Sequence, residues 1–170
     1  KSIPVICSSK DENALVQRGL SVIQTLEYWE PQKFLDGKIT GIPAIHGYGF
    51  VAKLMGNVMG FLIELADQKS IYISSDTIFT EHVEKVLTQL NPDISIVACG
   101  TARLDFGQPL LMRMDDILKF VTLAPGKVLA NHLEALNHCP TTRLQLRTAL
   151  SDHGLLTKTS IPNDGECIEY

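Results

Sequence analysis

The sequence predicts an α/β protein with a mixed sheet and helices packed on it. From Ser70 onward, apolar runs typical of buried strands alternate with amphipathic helical runs, which is the pattern of an α/β fold. Before Ser70, short β-like runs follow one another directly. The four residues 66–69 are too few for a crossover helix, so the strands on either side of them must pair antiparallel. We expect a single domain over residues 1–170.

The first part of the chain begins with a short buried strand at residues 3–7. Ser9 and Glu12 have the spacing of a capping box for the helix that follows, and Gly19 can end that helix. The later strands are expected to form a meander that ends at His46 and then an antiparallel pair. These strands are predicted at residues 22–26, 33–35, 39–45, 58–65 and 70–74.

Three helices are predicted in the second part of the chain. Thr80 can cap the first, which Pro92 stops. The second is expected to begin near Asp115. The third begins with a capping box formed by Thr142 and Gln145. Strands are expected before the second and third helices, at residues 94–99 and 128–130.

Composition excludes several classes of function. A net charge of -4 and the lack of a basic run exclude nucleic acid as a partner. The longest apolar stretch, residues 58–66, falls short of the roughly 20 residues that cross a bilayer, so no membrane span is expected. Four cysteines without a C-x-x-C pair indicate reduced thiols and a cytoplasmic protein.

Gly47, Gly49 and Ala52 match the dinucleotide-binding pattern G-x-G-x-x-A. A dinucleotide-binding unit needs a full helix between these glycines and its next strand. Residues 49–57 offer about two helical turns. The sequence therefore does not favour a nucleotide loop. It also lacks the G-x-S-x-G pattern of serine hydrolases.

Three polar residues follow apolar strands: His46, Asp76 and His132. Strand ends converge on one edge of an α/β sheet, where loops can shape a pocket. Two imidazoles and a carboxylate suit a cation such as zinc, at roughly 2.0 to 2.2 Å from each ligand. The alternative is that both histidines are structural and that Asp76 caps a turn.

Five segments of the sequence resemble those of a known protein family. IPAIHG, GFLIE, SIYISSDT, PDISIVACG and VLANHLEALNH occur in this order between about residues 42 and 138. They resemble the second half of a metallo-β-lactamase superfamily hydrolase, closest to its lactonase and phospholipase-like branches. This resemblance implies an αββα sandwich, of which the chain would be the C-terminal portion. It also implies that His46 and His132 are metal ligands and that Asp76 bridges two metal ions. Ser75 stands where the family has the glycine of G-D-T.

The same resemblance implies a function. Water activated by two zinc ions, with manganese as an alternative, would attack a lactone, an ester or a phosphodiester, and Asp76 would orient that water. Asn131 and Glu134 are candidates to support the ligands, although Glu134 is equally suited to a helix start. Candidate contacts for a small-molecule substrate are Tyr48, Arg103 and Asp105.

The chain departs from the family in one respect. The signature H-x-H-x-D-H, which supplies two ligands to each metal, is absent. Because the chain also lacks an initiator methionine, we expect it to be the C-terminal part of a larger hydrolase. Its expected partner is the missing N-terminal half or, in a homo-oligomer, another copy of the chain. The alternative is a degenerate or truncated hydrolase half that acts as a non-catalytic interaction module.

Overall fold

The computed structural model describes residues 3–104, 108–134 and 136–170, and these form a large mixed sheet beside a small one. The strands are β1 (Pro4–Ser8), β2 (Ser21–Leu26), β3 (Pro31–Phe34), β4 (Gly37–Ala44), β5 (Val58–Glu64), β6 (Ile71–Ile73), β7 (Ile94–Ala98), β8 (Lys127–Asn131) and β9 (Thr159–Ser160). The helices are α1 (Glu12–Gln17), α2 (Gly49–Leu54), α3 (Glu81–Lys85) with a π-helical turn (Val86–Leu90), α4 (Met114–Leu123) and α5 (Arg143–Asp152). No helix in this part of the chain is long and apolar enough to cross a membrane.

The large sheet is mixed, as the sequence predicts. Its strand order is β3-β4-β5-β6-β7-β8-β9. Neighbouring strands from β3 to β6 are antiparallel, and those from β6 to β9 are parallel. The change occurs where helices begin to separate the strands along the chain, since a parallel pair needs a crossover connection.

The main core lies between this sheet and helices α3, α4 and α5. Leu62, Tyr72, Val97 and Val128 face the helices from four successive strands, and all four are buried. Tyr72 stacks on Phe120 of α4 with ring centroids 6.3 Å apart. This helix-covered face anchors the strands whose ends carry the candidate site.

The opposite face of the sheet is covered only in part. The small sheet β1-β2 packs over β4 and β5 through a cluster that contains Leu26 and Met59. Farther along, Ile73, Ile96 and Leu129 are direct neighbours on β6, β7 and β8. These three side chains are partly exposed and belong to none of the core clusters formed by the described residues. We call them the apolar row.

The predicted capping box of the first helix is wrong. The helix α1 begins after Asp11, and no side chain caps it, so Ser9 and Glu12 do not form a capping box. Ser9 directly follows β1, and its backbone N–H instead donates to the carbonyl of Leu26 at 3.1 Å. The predicted start of α4 near Asp115 is confirmed, because the helix begins at Met114. The Asp116 carboxylate accepts a hydrogen bond from the Arg113 N–H at 3.3 Å.

The predicted meander is also wrong in its first strand. The strand β2 does not join the large sheet but pairs in parallel with β1, with Pro4 opposite Ser21 and Ser8 opposite Leu26. The helix α1 connects the two strands. The other predicted strands and the capping box at Thr142 are confirmed.

Candidate metal centre

His46, Asp76 and His132 lie at one edge of the large sheet. The strands β6 and β8 run in the same direction, so Asp76 and His132 leave the sheet at the same edge. The strand β4 is antiparallel to β5, which is antiparallel to β6, so His46 also follows a strand that ends there. The topology thus accounts for the convergence of three residues that are distant in sequence.

Two hydrogen bonds fasten the loop of Asp76 to the loop of His46. The backbone N–H of Ile45 donates to Thr77 Oγ1 at 3.0 Å, and the N–H of Ile78 donates to the Ile45 carbonyl at 2.8 Å. Both bonds join residues that flank Asp76 to the residue before His46. The side chains of Asp76 and His46 are therefore held on adjoining loops.

The backbone at these strand ends is strained. Ser75, Thr101 and His132 follow β6, β7 and β8, and each has a left-handed φ, at 57°, 50° and 54°. A residue with a Cβ pays roughly 1 to 2 kcal/mol for this conformation. Strain of this kind persists where the surrounding structure enforces it, and it clusters at functional sites. Ser75 occupies the position at which the resemblance places a glycine, and its positive φ is the reason glycine suits that position.

Asp76 and His132 are in direct contact. Asp76 Oδ2 lies 3.5 Å from His132 Nε2. Both side chains are accessible, with 38% and 27% of their surface exposed, so a solute can reach the pair.

The surroundings of His46 shift the pKa of its imidazole. Burial lowers the pKa of its imidazole, Asp76 opposes this effect, and His132 and His138 add to it. A lowered pKa keeps His46 neutral near pH 7, which is the form that binds metals.

The contacting pair fits the geometry of ligands that share an ion. Two ligands at 2.0 to 2.1 Å from a tetrahedral zinc ion are separated by about 3.3 Å. The observed 3.5 Å between Asp76 Oδ2 and His132 Nε2 is close to this value. Among the described residues, however, no three His, Cys, Asp or Glu side chains are grouped closely enough to hold an ion by themselves. These residues therefore fit part of a coordination shell.

Two residues near the site were missed by sequence reasoning: His138 and Cys139. His138 lines a cavity beside the site, and Cys139 Sγ lies 3.4 Å from His132 Nδ1. Neither residue follows a strand directly, because both lie in the loop between β8 and α5. Their proximity to His132 depends on the path of that loop, for which the sequence carries no periodic signal.

Glu134 has two candidate roles, support of the metal ligands and a helix start, and its contacts match the second. Its carboxylate accepts from Arg143 Nη1 at 2.6 Å and from the Arg143 backbone N–H at 3.1 Å. Glu134 therefore supports the start of α5. Asn131 ends β8, and its backbone carbonyl accepts from the Cys99 N–H.

A cavity of about 870 Å³ opens beside the site. Arg103, Leu110 and His138 are among the residues that line it. Tyr48 lies nearby in sequence to His46, and the Arg113 guanidinium sits 6.0 Å from its ring centre. The remaining candidate substrate contact, Asp105, lies outside the described residues.

No family model matches the chain, but a curated protein and several solved structures are similar to it. It is 32% identical over 128 residues to the UPF0173 protein YddR of Bacillus subtilis (strain 168), which covers 74% of this chain and 50% of YddR. The chain thus spans half the length of this curated relative.

Two solved structures match nearly the whole chain. One is a possible metal-dependent hydrolase from Veillonella parvula DSM 2008, with a TM-score of 0.87 and 27% identity over 97% of this chain and 66% of that one. The other is an isothiocyanate hydrolase from Delia radicum gut bacteria, with a TM-score of 0.89 and 28% identity over 99% of this chain and 67% of that one. Both matches extend well beyond residues 42–138.

A third structure names the fold. The metallo-β-lactamase fold protein YhfI from Bacillus subtilis matches with a TM-score of 0.70 and 13% identity, over 97% of this chain and 63% of that one. The mixed sheet, its helical layer and these neighbours identify the fold as metallo-β-lactamase-like. The chain therefore shares its fold with metallo-hydrolases of the metallo-β-lactamase fold.

Proposed function

We propose that the protein is a metal-dependent hydrolase in which His46, Asp76 and His132 are metal ligands. The observation that carries this proposal is the 3.5 Å contact between Asp76 Oδ2 and His132 Nε2 at the edge of the sheet where β4 also delivers His46. Two similar structures described as hydrolases support the same reaction class.

Zinc is the ion we propose, with manganese as the alternative. Imidazole nitrogen suits zinc, and carboxylate oxygen suits both ions. When bound, such an ion acts as a Lewis acid and lowers the pKa of water toward 7. His46 offers a neutral imidazole because burial lowers its pKa, while Asp76 contributes a negative charge that offsets the charge of the cation.

We place the small-molecule substrate in the cavity that His138 and Arg103 line. An open cavity of this size beside an accessible carboxylate and imidazole is a usual setting for a ligand. The substrates we propose are a lactone, an ester or a phosphodiester. These compounds form the panel of test substrates. An isothiocyanate is added to it because one similar protein is an isothiocyanate hydrolase.

These three ligands do not complete a dinuclear shell. A catalytic zinc ion has three protein ligands, so two such ions need more groups than two histidines and one bridging aspartate provide. We propose that the further ligands come from another segment of the protein. An H-x-H-x-D-H stretch would supply them.

Metal binding to the purified full-length protein tests the ligand assignment. Zinc affinity is measured by competition with a chromophoric chelator, and bound metal is counted by mass spectrometry. We expect Asp76→Ala and His132→Ala each to weaken zinc binding by at least about tenfold, since each removes a ligand. The matched control is His153→Ala, because His153 lies at the end of α5 and its Nδ1 contacts the Ala149 carbonyl. Equal affinity in wild type and His132→Ala would contradict the proposal.

A non-catalytic interaction module is the second candidate, and the apolar row favours it. Ile73, Ile96 and Leu129 present partly exposed apolar surface on a parallel part of the sheet, which is a surface that a partner can cover. Hydrolysis of any member of the substrate panel, lost in Asp76→Ala, excludes this candidate. Zinc binding without turnover of any panel member supports it.

A further inference from the structure

We propose that Cys139 is a positioning residue for His132: its sulfur sets the orientation of the imidazole ring and the nitrogen that carries the proton. Cys139 Sγ lies 3.4 Å from His132 Nδ1, while His132 Nε2 lies 3.5 Å from Asp76 Oδ2. The ring is therefore held at both nitrogens. The expected effect of Cys139 on metal binding rests on the proposed function, in which His132 is a metal ligand. The contact between Cys139 and His132 does not depend on a metal.

Cys139 is not a ligand of the same ion as Asp76. The two nitrogens of an imidazole point away from each other, and Cys139 and Asp76 contact different nitrogens. An ion bound to Nε2 at roughly 2.0 Å lies on the Asp76 side of the ring, whereas a thiolate ligand would have to lie about 2.3 Å from that ion. The sulfur lies on the Nδ1 side of the ring, away from Nε2 and Asp76.

The position of the sulfur determines which proton arrangement the ring can adopt. When Nε2 gives its lone pair to a metal, Nδ1 must carry the proton and needs an acceptor, which is usually a carboxylate, a carbonyl or water. Cys139 Sγ is placed to be that acceptor. Without a metal, an Nε2–H can point at the Asp76 carboxylate, and Nδ1 can accept the thiol S–H. A thiol can act as a weak donor and as a weak acceptor, so Cys139 can serve both arrangements.

The loop after β8 is built to keep Cys139 in this place. Its N–H donates to the Leu136 carbonyl at 2.9 Å, and its side chain is 3% exposed. Gly100 makes room for it, because a Cβ on Gly100 would lie 2.9 Å from Cys139 Cβ and even closer to the His132 carbonyl. The surrounding cluster is apolar and includes Ala98, Ala102 and Leu111. A thiol is tolerated there, whereas a buried carboxylate would pay a large desolvation cost.

The first test is spectroscopic and needs no metal. Nitrogen-15 NMR of the histidine-labelled, metal-free, reduced chain reports which nitrogen of His132 is protonated. We expect Cys139→Ala to change the His132 nitrogen shifts, because Nδ1 loses its partner, and Cys139→Ser to restore them, because a hydroxyl also donates and accepts. Cys99→Ala is the matched control, since Cys99 is equally buried and its thiol contacts the Val97 carbonyl. Unchanged His132 shifts in Cys139→Ala would overturn the proposal.

The second test measures zinc affinity in the same variants. We expect Cys139→Ala to weaken zinc binding about tenfold, Cys139→Ser to recover most of the loss, and Cys99→Ala to match wild type. Thermal unfolding of each variant identifies any loss that comes from unfolding alone. If Cys139→Ser binds zinc as weakly as Cys139→Ala while both remain folded, the positioning role is wrong.

The two proposals can fail separately. Zinc binding that depends on His132 but not on Cys139 would contradict the positioning role and leave the proposed function intact. Absence of zinc binding in the wild-type full-length protein would contradict the proposed function, whereas the NMR shifts would still decide whether Cys139 sets the protonated nitrogen of His132.

Discussion

Three residues that follow strands of the large sheet adopt a backbone conformation that is unfavourable for a residue with a Cβ. Ser75, Thr101 and His132 all adopt left-handed φ values just after parallel strands. A left-handed residue changes the direction of the chain within one residue, which suits a position after the end of a strand. The hydrogen bonds that join the loop of Asp76 to Ile45 help to offset the cost at Ser75.

Relief of this cost at Ser75 should stabilise the protein. Glycine adopts positive φ readily, so we expect Ser75→Gly to raise the free energy of unfolding by about 0.5 to 1 kcal/mol. Urea unfolding followed by circular dichroism measures the change. Ser74→Gly is the control, because Ser74 is buried with a φ outside the left-handed region, and this change should lower stability. A less stable Ser75→Gly variant would show that the serine side chain contributes more than the strain costs.

The lowered pKa of His46 makes stability depend on pH. The unfolded chain protonates His46 near its ordinary pKa of about 6.5, whereas the folded chain does so only at lower pH. The part of the free energy of unfolding that depends on neutral His46 is therefore fully present above about pH 6.5. It is lost as the pH falls below that value toward the pKa of His46 in the folded chain.

His46→Gln should remove this dependence. We expect the free energy of unfolding of wild type to fall more between pH 7.5 and pH 5.5 than that of His46→Gln, while His153→Gln, changed at the exposed end of α5, behaves as wild type. Urea melts at several pH values in this range measure the difference. Equal pH dependence of wild type and His46→Gln would mean that His46 has the same pKa in the folded and unfolded chains.

At the scale of helices and strands, local signals succeed where no tertiary contact competes with them. The capping box of α5 is formed in both directions: Thr142 Oγ1 accepts from the Gln145 N–H at 3.2 Å, and Gln145 Oε1 accepts from the Thr142 N–H at 2.9 Å. Ser9 has the same spacing to Glu12, but its N–H is bonded to Leu26 across the small sheet. The pairing of β1 with β2 thus displaces the start of α1 to Asp11.

A matched pair of substitutions tests this difference. Thr142→Ala should lower the free energy of unfolding by about 1 kcal/mol, because it leaves the Gln145 N–H without its cap. Ser9→Ala should change it little, because Ser9 caps no helix. Chemical denaturation of both variants provides the measurement. Similar losses in the two variants would contradict the assigned helix starts.

The whole molecule has a sheet that is better covered on one face than on the other. Helices α3, α4 and α5 bury one face, whereas the apolar row of Ile73, Ile96 and Leu129 is partly exposed on the other. Parallel sheets are normally covered on both faces, so this row is apolar surface without a layer over it among the described residues. Contiguous apolar surface of this kind promotes association.

We therefore expect the chain to self-associate in a concentration-dependent way. Ile96→Thr, at the centre of the apolar row, should shift the equilibrium toward the monomer, since a hydroxyl makes burial of this surface less favourable. Ile23→Thr is the control, because Ile23 is 63% exposed on the small sheet and lies outside the row. Sedimentation velocity over a concentration series measures the change. A wild-type monomer at every concentration would contradict this prediction.

The sequence by itself determined the class of the fold, most of its strands and the three polar strand ends. Those features depend on local information, because hydrophobic periodicity, capping residues and the short link between β5 and β6 act within a few residues. The ligand hypothesis for His46, Asp76 and His132 came from strand-end positions and from the family resemblance, and the metal role itself stays a prediction.

Only the tertiary structure decided how these pieces meet. Three features were decided in this way: the parallel pairing of β1 with β2, the contact of Asp76 with His132 and the contact of Cys139 with His132 Nδ1. The last two bring together residues in loops, which carry no regular sequence pattern. Such contacts are set by the combined packing of strands, helices and turns. Pairwise spacing along the chain does not encode that packing, so it becomes visible only in three dimensions.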